Sequence, residues 1–234
     1  MKNFDVIILC GGKGLRLKPL TNKTPKPLTK IKNRPFLFYL VNFFLKNDCK
    51  NIVIACGYKT HLFKKFLNKF FKNKKNIRLV DSGDVDILQR IKDSKSFIEN
   101  DFFLCYGDAF ATLNLKKYID FYKLKKNSAT IVTSYHNLEF GTLKVNKKTK
   151  SVIEFKEKPK ILEPVNIGYF IFPISFFPYI SKYKSWLSFL SFITKKNLLR
   201  FFNFNGLHLT FNNMGEVDMA KSKITEVENF LEKF

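Results

Sequence analysis

The chain has 234 residues, 45% of them hydrophobic, which suits one domain with a sizeable core, or one domain with an appendage. It has no run of 18 apolar residues and no N-terminal leader pattern, so we expect a cytoplasmic protein without a transmembrane helix. The formal net charge of +23 suits an anionic small substrate. Because the lysines are scattered rather than focused on one helix, we expect no nucleic-acid partner and no membrane partner.

The first part of the chain alternates apolar strands with amphipathic helices. The pattern predicts strands at residues 4–10, 51–56, 77–80, 102–106 and 129–135, and helices at 35–46, 60–71, 87–98 and 113–125. This alternation indicates right-handed crossovers and an α/β, Rossmann-like fold with a mostly parallel sheet flanked by helices. The cysteines at 10, 49, 56 and 105 form no C-x-x-C pair, so we expect buried, reduced thiols.

After residue 136 the pattern changes to short strands. They are predicted at 141–145, 152–156 and 167–172, and we expect them to form a small β extension over the site. Helices are predicted at 186–196 and 216–234. No linker or repeat divides the sequence, so we expect a single domain over residues 1–234.

A glycine-rich turn, Gly11-Gly12-Lys13-Gly14, follows the first strand directly. Its glycines let the backbone approach a ligand closely, and Arg16 and Lys26 add positive charge on either side. Such a loop is suited to a polyphosphate, whereas the alternative is a turn that binds nothing. The turn does not match the P-loop pattern, because no Lys-Ser or Lys-Thr follows a properly spaced glycine. It does not match G-x-G-x-x-G either, because position 17 is leucine.

Asp108 follows the strand at 102–106, with Gly107 between them. In a parallel sheet, ligands lie beyond the carboxyl ends of the strands, where both this turn and the glycine loop are expected. A carboxylate facing a phosphate loop is a suitable Mg²⁺ ligand; the alternative is a turn aspartate that caps the next helix.

The ordered motifs of the chain resemble those of the sugar-1-phosphate nucleotidylyltransferases. The matching segments are Gly11-Gly12-Lys13-Gly14-Leu15-Arg16-Leu17, Pro25-Lys26-Pro27, Gly107-Asp108, Glu157-Lys158-Pro159 and Asn166-Ile167-Gly168. Within that family, residues 56–59, 79–84, 106–108 and 140–143 are most similar to the glucose-1-phosphate cytidylyltransferases. The resemblance therefore implies an enzyme that transfers a cytidylyl group from CTP to a phosphorylated small acceptor.

The resemblance also implies roles for individual residues. Catalysis is assigned to Arg16, Lys26 and Asp108, and Mg²⁺ binding to Asp108 and Asn213. Nucleotide binding is assigned to Leu9, Gly11, Gly12, Gly14, Arg16, Lys26, Ser82, Gly83, Arg90 and Asp108. Acceptor binding falls within residues 136–215, at Gly141, Glu157, Lys158 and Asn166. From residue type alone, Arg90 and Lys158 could equally be surface residues, and Asn213 an ordinary turn residue.

The chain departs from the family at four places. Leu15 replaces a usual threonine, and residues 85–89 replace a usual glycine-containing segment after the third strand. Asn213 replaces a usual aspartate, for which Glu216 or Asp218 could substitute, and the segment after Trp186 lacks the usual sugar-binding glutamate. The last departure favours a non-sugar acceptor, such as phosphorylated glutamine, in surface glycan or capsule synthesis.

Two readings stay open beside this one. The chain could use a sugar 1-phosphate, either glucose 1-phosphate with CTP or heptose 1-phosphate with GTP. It could also be a non-catalytic protein that binds a nucleotide or RNA. The oligomeric state is open too, because the phenylalanines within 170–204 suit either a core or a homo-oligomer interface.

Overall fold

The computed structural model describes residues 3–234, so the first two residues of the expected 1–234 domain lie outside it. In chain order the strands are β1 (Asp5–Leu9), β2 (Lys30–Ile31), β3 (Arg34–Pro35), β4 (Ile52–Cys56), β5 (Ile77–Asp81), β6 (Phe102–Tyr106), β7 (Ala109–Ala111), β8 (Ala129–Ser134), β9 (Thr142–Asn146), β10 (Ser151–Lys156), β11 (Val165–Phe172), β12 (Leu199–Asn203) and β13 (His208–Thr210). The α-helices are α1 (Phe36–Lys46), α2 (Thr60–Phe70), α3 (Ile87–Asp93), α4 (Leu115–Lys123), α5 (Phe177–Lys182), α6 (Trp186–Lys195) and α7 (Met214–Glu232).

A seven-stranded sheet in the order β12-β8-β11-β6-β1-β4-β5 forms the centre of the molecule. β1 pairs in parallel with β4 and β6, β4 with β5, and β8 with β12. Within this sheet β11 alone runs antiparallel to its neighbours β6 and β8. The structure thus confirms the predicted α/β architecture with a mostly parallel sheet, and brings the carboxyl ends of β1, β4, β5 and β6 to one edge.

Alternating residues of the central strands pack into two apolar layers. In β1, Val6 and Ile8 belong to a core shared with α1, α2, α4 and α7, whereas Ile7 and Leu9 belong to one shared with α3, α5 and α6. Successive strand residues point to opposite faces, so helices on both faces require a strand that is apolar throughout. The fully buried sequence Asp5–Leu9 meets that requirement at four of five positions.

The strand at 167–172 was expected in the β extension, and this expectation is wrong. It forms part of β11, which lies inside the central sheet between β6 and β8. Its apolar residues from Ile167 to Phe172 are all buried, and only a strand covered by helices on both faces can bury consecutive side chains. The prediction also missed β12, which pairs with β8.

The β extension itself consists of β9 and β10, an antiparallel hairpin whose residues are exposed. The sequence left open whether the phenylalanines within residues 170–204 belong to the core or to an interface. The core includes the buried side chains of Phe170, Phe172, Phe176, Phe177 and Phe189.

All four cysteines are buried and free, as expected. Within residues 3–234, no helix has the length and apolar character needed to cross a membrane.

Candidate active site

The carboxyl ends of β1 and β6 open onto a cavity of about 300 Å³. It is lined by the glycine loop, by two basic residues that follow it, by α3 and by the turn after β6: Leu9, Cys10, Gly11, Gly12, Gly14, Arg16, Lys26, Pro27, Ile87, Arg90, Tyr106 and Asp108. A second cavity of about 370 Å³ adjoins it and shares Gly14, Arg16 and Lys26. The two segments that the sequence singled out, the glycine loop and the Asp108 turn, therefore face one space.

The glycine loop has a backbone that only glycine fits well at two positions. Gly14 adopts the left-handed conformation with φ of 63°, immediately before a short turn at Leu15–Leu17. At Gly11, a Cβ atom would overlap the guanidinium of Arg90. The conformation of the loop therefore depends on the left-handed backbone at Gly14 and on the close contact between Gly11 and Arg90.

Arg90 is buried at 4% exposure and binds the backbone of three different segments. Its Nη1 donates to the carbonyl of Cys56 at 2.6 Å, and its Nη2 donates to those of Gly83 (2.8 Å), Val85 (3.2 Å) and Gly11 (3.4 Å). These carbonyls lie at the last residue of β4 and in the loops after β5 and β1. A side chain that could have been a surface arginine thus joins the loops at the sheet edge. Direct contact of Arg90 with a nucleotide stays a prediction.

Ser82 and Gly83 do not line the cavity. Gly83 reaches it only through the hydrogen bond from its carbonyl to Arg90. At the surface, Lys13 Nζ donates to Asp84 Oδ2 at 2.5 Å and so links the glycine loop to the segment after β5. The nucleotide-binding roles of Ser82 and Gly83 stay predictions.

Lys26 and Asp108 form an ion pair at the floor of the cavity. Lys26 is buried at 9% exposure in the turn between Pro25 and Pro27, and its ammonium also donates to Asn212 Oδ1 at 3.1 Å. Asp108 is reached from β6 through Gly107, whose N–H donates to the carbonyl of Leu9 at 2.9 Å. The arrangement presents a fixed cation and a carboxylate to the same small space.

Asn213 caps α7, which is the turn role that the sequence left open. Its Oδ1 accepts from the N–H of Glu216 at 2.9 Å, and its role as a metal ligand stays a prediction. The preceding Asn212 is the amide that contacts Lys26, and sequence reasoning missed it. The signal was the Asn212-Asn213 pair itself, because two adjacent amides at a helix start allow one to cap and the other to face the site.

Glu216 holds Asn212 in place. Its Oε2 accepts from the N–H of Asn212 at 2.7 Å and from Asn212 Nδ2 at 3.1 Å. The same oxygen accepts from the hydroxyl of Thr210. Because the Asn212 side-chain NH₂ donates to Glu216, the side-chain oxygen of Asn212 points toward Lys26.

None of the four predicted acceptor residues lines the cavity. Gly141, Glu157 and Lys158 are exposed at the base of the β9–β10 hairpin. Asn166, on β11, is closer, since it and Trp186 lie near the Tyr106 hydroxyl. Burial raises the pKa of Tyr106, and the neighbouring polar groups of Trp186 and Asn166 partly oppose that rise. Roles in acceptor binding stay predictions for all four residues.

The protein oxygen atoms at the cavity suit a divalent ion only if a bound polyphosphate supplies further oxygen ligands. Within residues 3–234, no group of three or more His, Cys, Asp or Glu side chains could hold a metal. Asp108 is the one carboxylate among the cavity residues. Mg²⁺ commonly takes one or two carboxylates and fills its other positions with water and phosphate oxygens, so Asp108 suits an ion that arrives with a polyphosphate.

Comparison with known proteins gives a family match over most of the chain. The model of the family described as Nucleotidyl transferase matches residues 5–199. A glucose-1-phosphate cytidylyltransferase of Salmonella typhimurium is 30% identical over 181 residues, covering 67% of this chain and 70% of that relative. The D-glycero-alpha-D-manno-heptose 1-phosphate guanylyltransferase of Campylobacter jejuni is 30% identical over 159 residues, covering 66% and 69%.

Solved structures share the fold. HddC from Yersinia pseudotuberculosis superposes with a TM-score of 0.74 at 22% identity, covering 94% of this chain and 99% of that one. A structure from Bacillus anthracis described as a putative glucose-1-phosphate thymidylyltransferase has a TM-score of 0.73 at 21% identity, with 94% of both chains covered.

Proposed function

Because the chain belongs to the nucleotidyl transferase family and is a nucleotidyltransferase, we propose that it transfers a cytidylyl group from CTP to a small phosphorylated metabolite. The observation that carries the proposal is the Lys26–Asp108 pair facing the glycine loop across one cavity. This combination supplies backbone donors, a fixed cation and a carboxylate around one cavity, and these are the groups that bind a polyphosphate.

The proposed reaction needs positioning and charge neutralisation more than proton transfer. An oxygen of the acceptor phosphate attacks the α-phosphorus of CTP and forms a new P–O bond. The bond from that phosphorus to the β-phosphate oxygen breaks in line, and pyrophosphate leaves with the electron pair. Since the attacking oxygen is already an anion, no general base is required.

The glycine loop and the charged residues Arg16, Lys26 and Asp108 have separate roles in this scheme. The N–H groups of the glycine loop hold the nucleotide phosphates, and Arg16 neutralises the departing pyrophosphate. Lys26 breaks its ion pair with Asp108 and bridges the reacting phosphates. The Asp108 carboxylate is then free to bind a metal ion. Asp108, helped by the amide of Asn212 or Asn213, holds a divalent ion that we propose to be Mg²⁺. That ion, when bound, neutralises triphosphate charge.

The choice of CTP is supported by the names of relatives such as the Salmonella typhimurium enzyme. The Campylobacter jejuni relative, named as a heptose 1-phosphate guanylyltransferase, favours GTP as the second candidate. Thermal unfolding with CTP, GTP, UTP and dTTP in turn separates them, because a bound nucleotide raises the midpoint by mass action. We expect CTP with Mg²⁺ to raise it most; a larger shift with GTP would contradict the choice.

We propose a non-sugar acceptor, such as phosphorylated glutamine, and a CDP-linked product for a surface glycan or capsule. The proposal is supported by α6, which begins at Trp186 beside Tyr106 and continues with Leu187, Ser188 and Phe189 rather than a carboxylate. Sugar hydroxyls need paired hydrogen-bonding groups, and this apolar helix offers few. The competing candidate is a sugar 1-phosphate, which the relatives' names favour.

Pyrophosphate release, measured in a coupled assay with CTP and a panel of phosphorylated acceptors, tests this choice. We expect phosphoglutamine or another non-sugar phosphate to give a higher kcat/KM than glucose 1-phosphate. If glucose 1-phosphate is the best acceptor, the non-sugar proposal is wrong while nucleotidyl transfer stands.

We further propose that residues 1–234 act as one unit in which 136–215 bind the acceptor. Support comes from Asn166, which belongs to this portion and lies near Tyr106 at the cavity wall. The proposed use of CTP, a nucleotide of the cytoplasm, keeps a cytoplasmic location as part of the proposal.

A further inference from the structure

The turn that carries Lys26 also borders a separate pocket at the surface. Lys26 and Pro27 line the nucleotide cavity, whereas Thr24 and Leu28 line a pocket of about 230 Å³ between the β2–β3 hairpin and α2. Among residues 3–234, the nucleotide cavity and this pocket share no lining residue. We call the second space the α2 pocket.

The walls of the α2 pocket are apolar. Leu28, Pro35 and Phe66 are buried, and Leu62 and Phe70 are half-buried. Leu62, Phe66 and Phe70 are spaced by four residues, so they form one stripe along α2. A dry apolar cavity of roughly 150 Å³ holds a benzene molecule, so the α2 pocket has room for a ring or an alkyl chain of about six to eight carbons.

Three lysines complete the lining of the pocket: Lys30 from β2, and Lys65 and Lys69 from α2. Within residues 3–234, none of these three ammonium groups forms an ion pair with a carboxylate. Lys32, two residues from Lys30, does form one, with its Nζ 3.4 Å from Glu228 Oε2. The α2 pocket therefore combines apolar walls with cations that the folded chain leaves unneutralised.

The charge around the α2 pocket has one sign. No Asp or Glu occurs in residues 6–47 or 57–80, and these two stretches supply all of its lining residues. Lys69 Nζ lies 5.4 Å from the centroid of the Phe70 ring, so positive charge is present directly at the apolar wall. An anion that enters the pocket is attracted from every side, whereas a cation finds no carboxylate to pair with.

We propose that the α2 pocket binds a small amphipathic anion, with an alkyl or aromatic group against the walls and a carboxylate or phosphate at the lysines. Burial of the apolar group supplies the affinity, and the charge of the head group supplies the selectivity. The occupant contacts Leu28, two residues after Lys26, so it lies beside the nucleotide cavity without entering it. The proposal concerns binding alone and does not depend on the reaction proposed above.

Ligands of equal chain length and different charge test the chemistry of the site. Ligand-observed NMR titrations of the whole chain at low salt, where screening is weak, give dissociation constants for octanoate, octyl phosphate, 1-octanol and octylammonium. We expect both anions to bind about fivefold or more tightly than octanol and octylammonium, and the tighter of the two anions identifies the preferred head group. Hexanoate should bind up to about 15-fold more weakly than octanoate, since each buried CH₂ contributes a factor of about four.

Adjacent lysines on α2 test the location of the site. Lys65→Glu places a negative charge at the pocket, whereas Lys64→Glu makes the same change of charge on the same helix outside the lining. Both side chains are exposed, so both variants should fold, and circular dichroism with thermal unfolding checks this. We expect Lys65→Glu to raise the dissociation constant of octanoate by about fivefold or more, and Lys64→Glu by less than about twofold.

Three outcomes would overturn the proposal. The first is that neither anion binds to the wild type. The second is that octylammonium binds as tightly as octanoate, which would show that charge does not select the ligand. The third is that Lys64→Glu and Lys65→Glu weaken octanoate binding equally, which would assign the effect to the overall charge of the chain and not to the α2 pocket.

Discussion

Replacing Arg90 with lysine tests whether one buried side chain holds the nucleotide cavity together. The planar guanidinium reaches carbonyls of Cys56, Gly83, Val85 and Gly11, which belong to the end of β4 and to two loops. A lysine keeps the charge, but its single ammonium cannot reproduce the fork and would satisfy one or two of these acceptors. The Cys56 carbonyl keeps the N–H of Ser82 as a donor at 3.0 Å, and Gly83 and Val85 are exposed to water, so Gly11 has the buried carbonyl that can lose its partner.

The expected cost follows from that count. A buried acceptor left without a partner costs about 1–3 kcal/mol, so we expect a loss of that size in the free energy of unfolding. Gly11 is part of the glycine loop after β1, so this loop should loosen when the Gly11 carbonyl loses its donor. We expect the dissociation constant of CTP with Mg²⁺ to rise by about tenfold or more, since a mobile loop must be ordered on binding.

Arg200→Lys is the matched control. Arg200 is only half-buried, donates to the carbonyl of Phe121 at a long 3.4 Å, and stacks on the Phe121 ring at 4.2 Å. Losing one long hydrogen bond and a stacking contact should cost about 1 kcal/mol or less. Urea unfolding with matched m-values gives both stabilities, and calorimetric titration gives the affinity for CTP.

The reasoning fails if Arg90→Lys unfolds within about 1 kcal/mol of wild type and binds CTP unchanged. That result would mean that these segments hold their positions without the guanidinium. A stability loss without any change in CTP affinity would separate the two roles. Arg90 would then support the fold and not the nucleotide loop.

Three further predictions concern the cavity and its surroundings. Asp108→Asn should keep the fold but lower kcat for pyrophosphate release by about 100-fold or more, because it removes a charged ligand of the proposed ion; unchanged turnover would exclude Asp108 from the mechanism. Glu216→Gln should weaken the hydrogen bonds that position Asn212 and should lower kcat by about tenfold. The same substitution should cause no additional loss in an Asn212→Ala background, and the control Glu226→Gln on the same helix should have no effect. Additive losses in the double variant would show a separate role for Glu216. Burial, and then the charge of His136, lowers the pKa of His208 to about 4, so the unfolded chain takes up a proton first as pH falls from about 6.5. Urea unfolding of the wild type should therefore show a loss of up to about 3 kcal/mol in the free energy of unfolding between pH 6.5 and 4, and His208→Gln should not show this loss. If the free energies of unfolding of the two proteins change in parallel with pH, His208 is not the group responsible.

Several features of the fold and the site follow from local patterns that the sequence displays. Uninterrupted apolar strands between amphipathic helices predict a covered, mostly parallel sheet, and the structure confirms it. The glycine loop and the Asp108 turn follow strands of that sheet, so their convergence on one edge follows from strand direction alone. Lys26 reaches the same cavity because its turn between two prolines is held close to the loop.

Other features depend on contacts between distant parts of the chain. The apolar run in β11 is equally compatible with an extension or a sheet interior, and pairing with β6 and β8 decides between them. A lone arginine on a predicted helix is compatible with solvent, and Arg90 is buried because three segments present their carbonyls to it. Neither outcome has a local signal, since β6, β8, Cys56 and Gly11 lie far from their partners in the sequence.

The amide pair before α7 shows the same division at a single site. A turn with adjacent asparagines before a helix is evident from the sequence, and so is the expectation that one of them caps the helix. Which one faces Lys26 depends on Glu216 and on the position of Lys26, 186 residues from Asn212. Local propensity thus determined the elements and the loop chemistry of this protein. Only tertiary packing decided which polar groups meet, because hydrogen bonds form between atoms that the folded chain brings within about 3 Å.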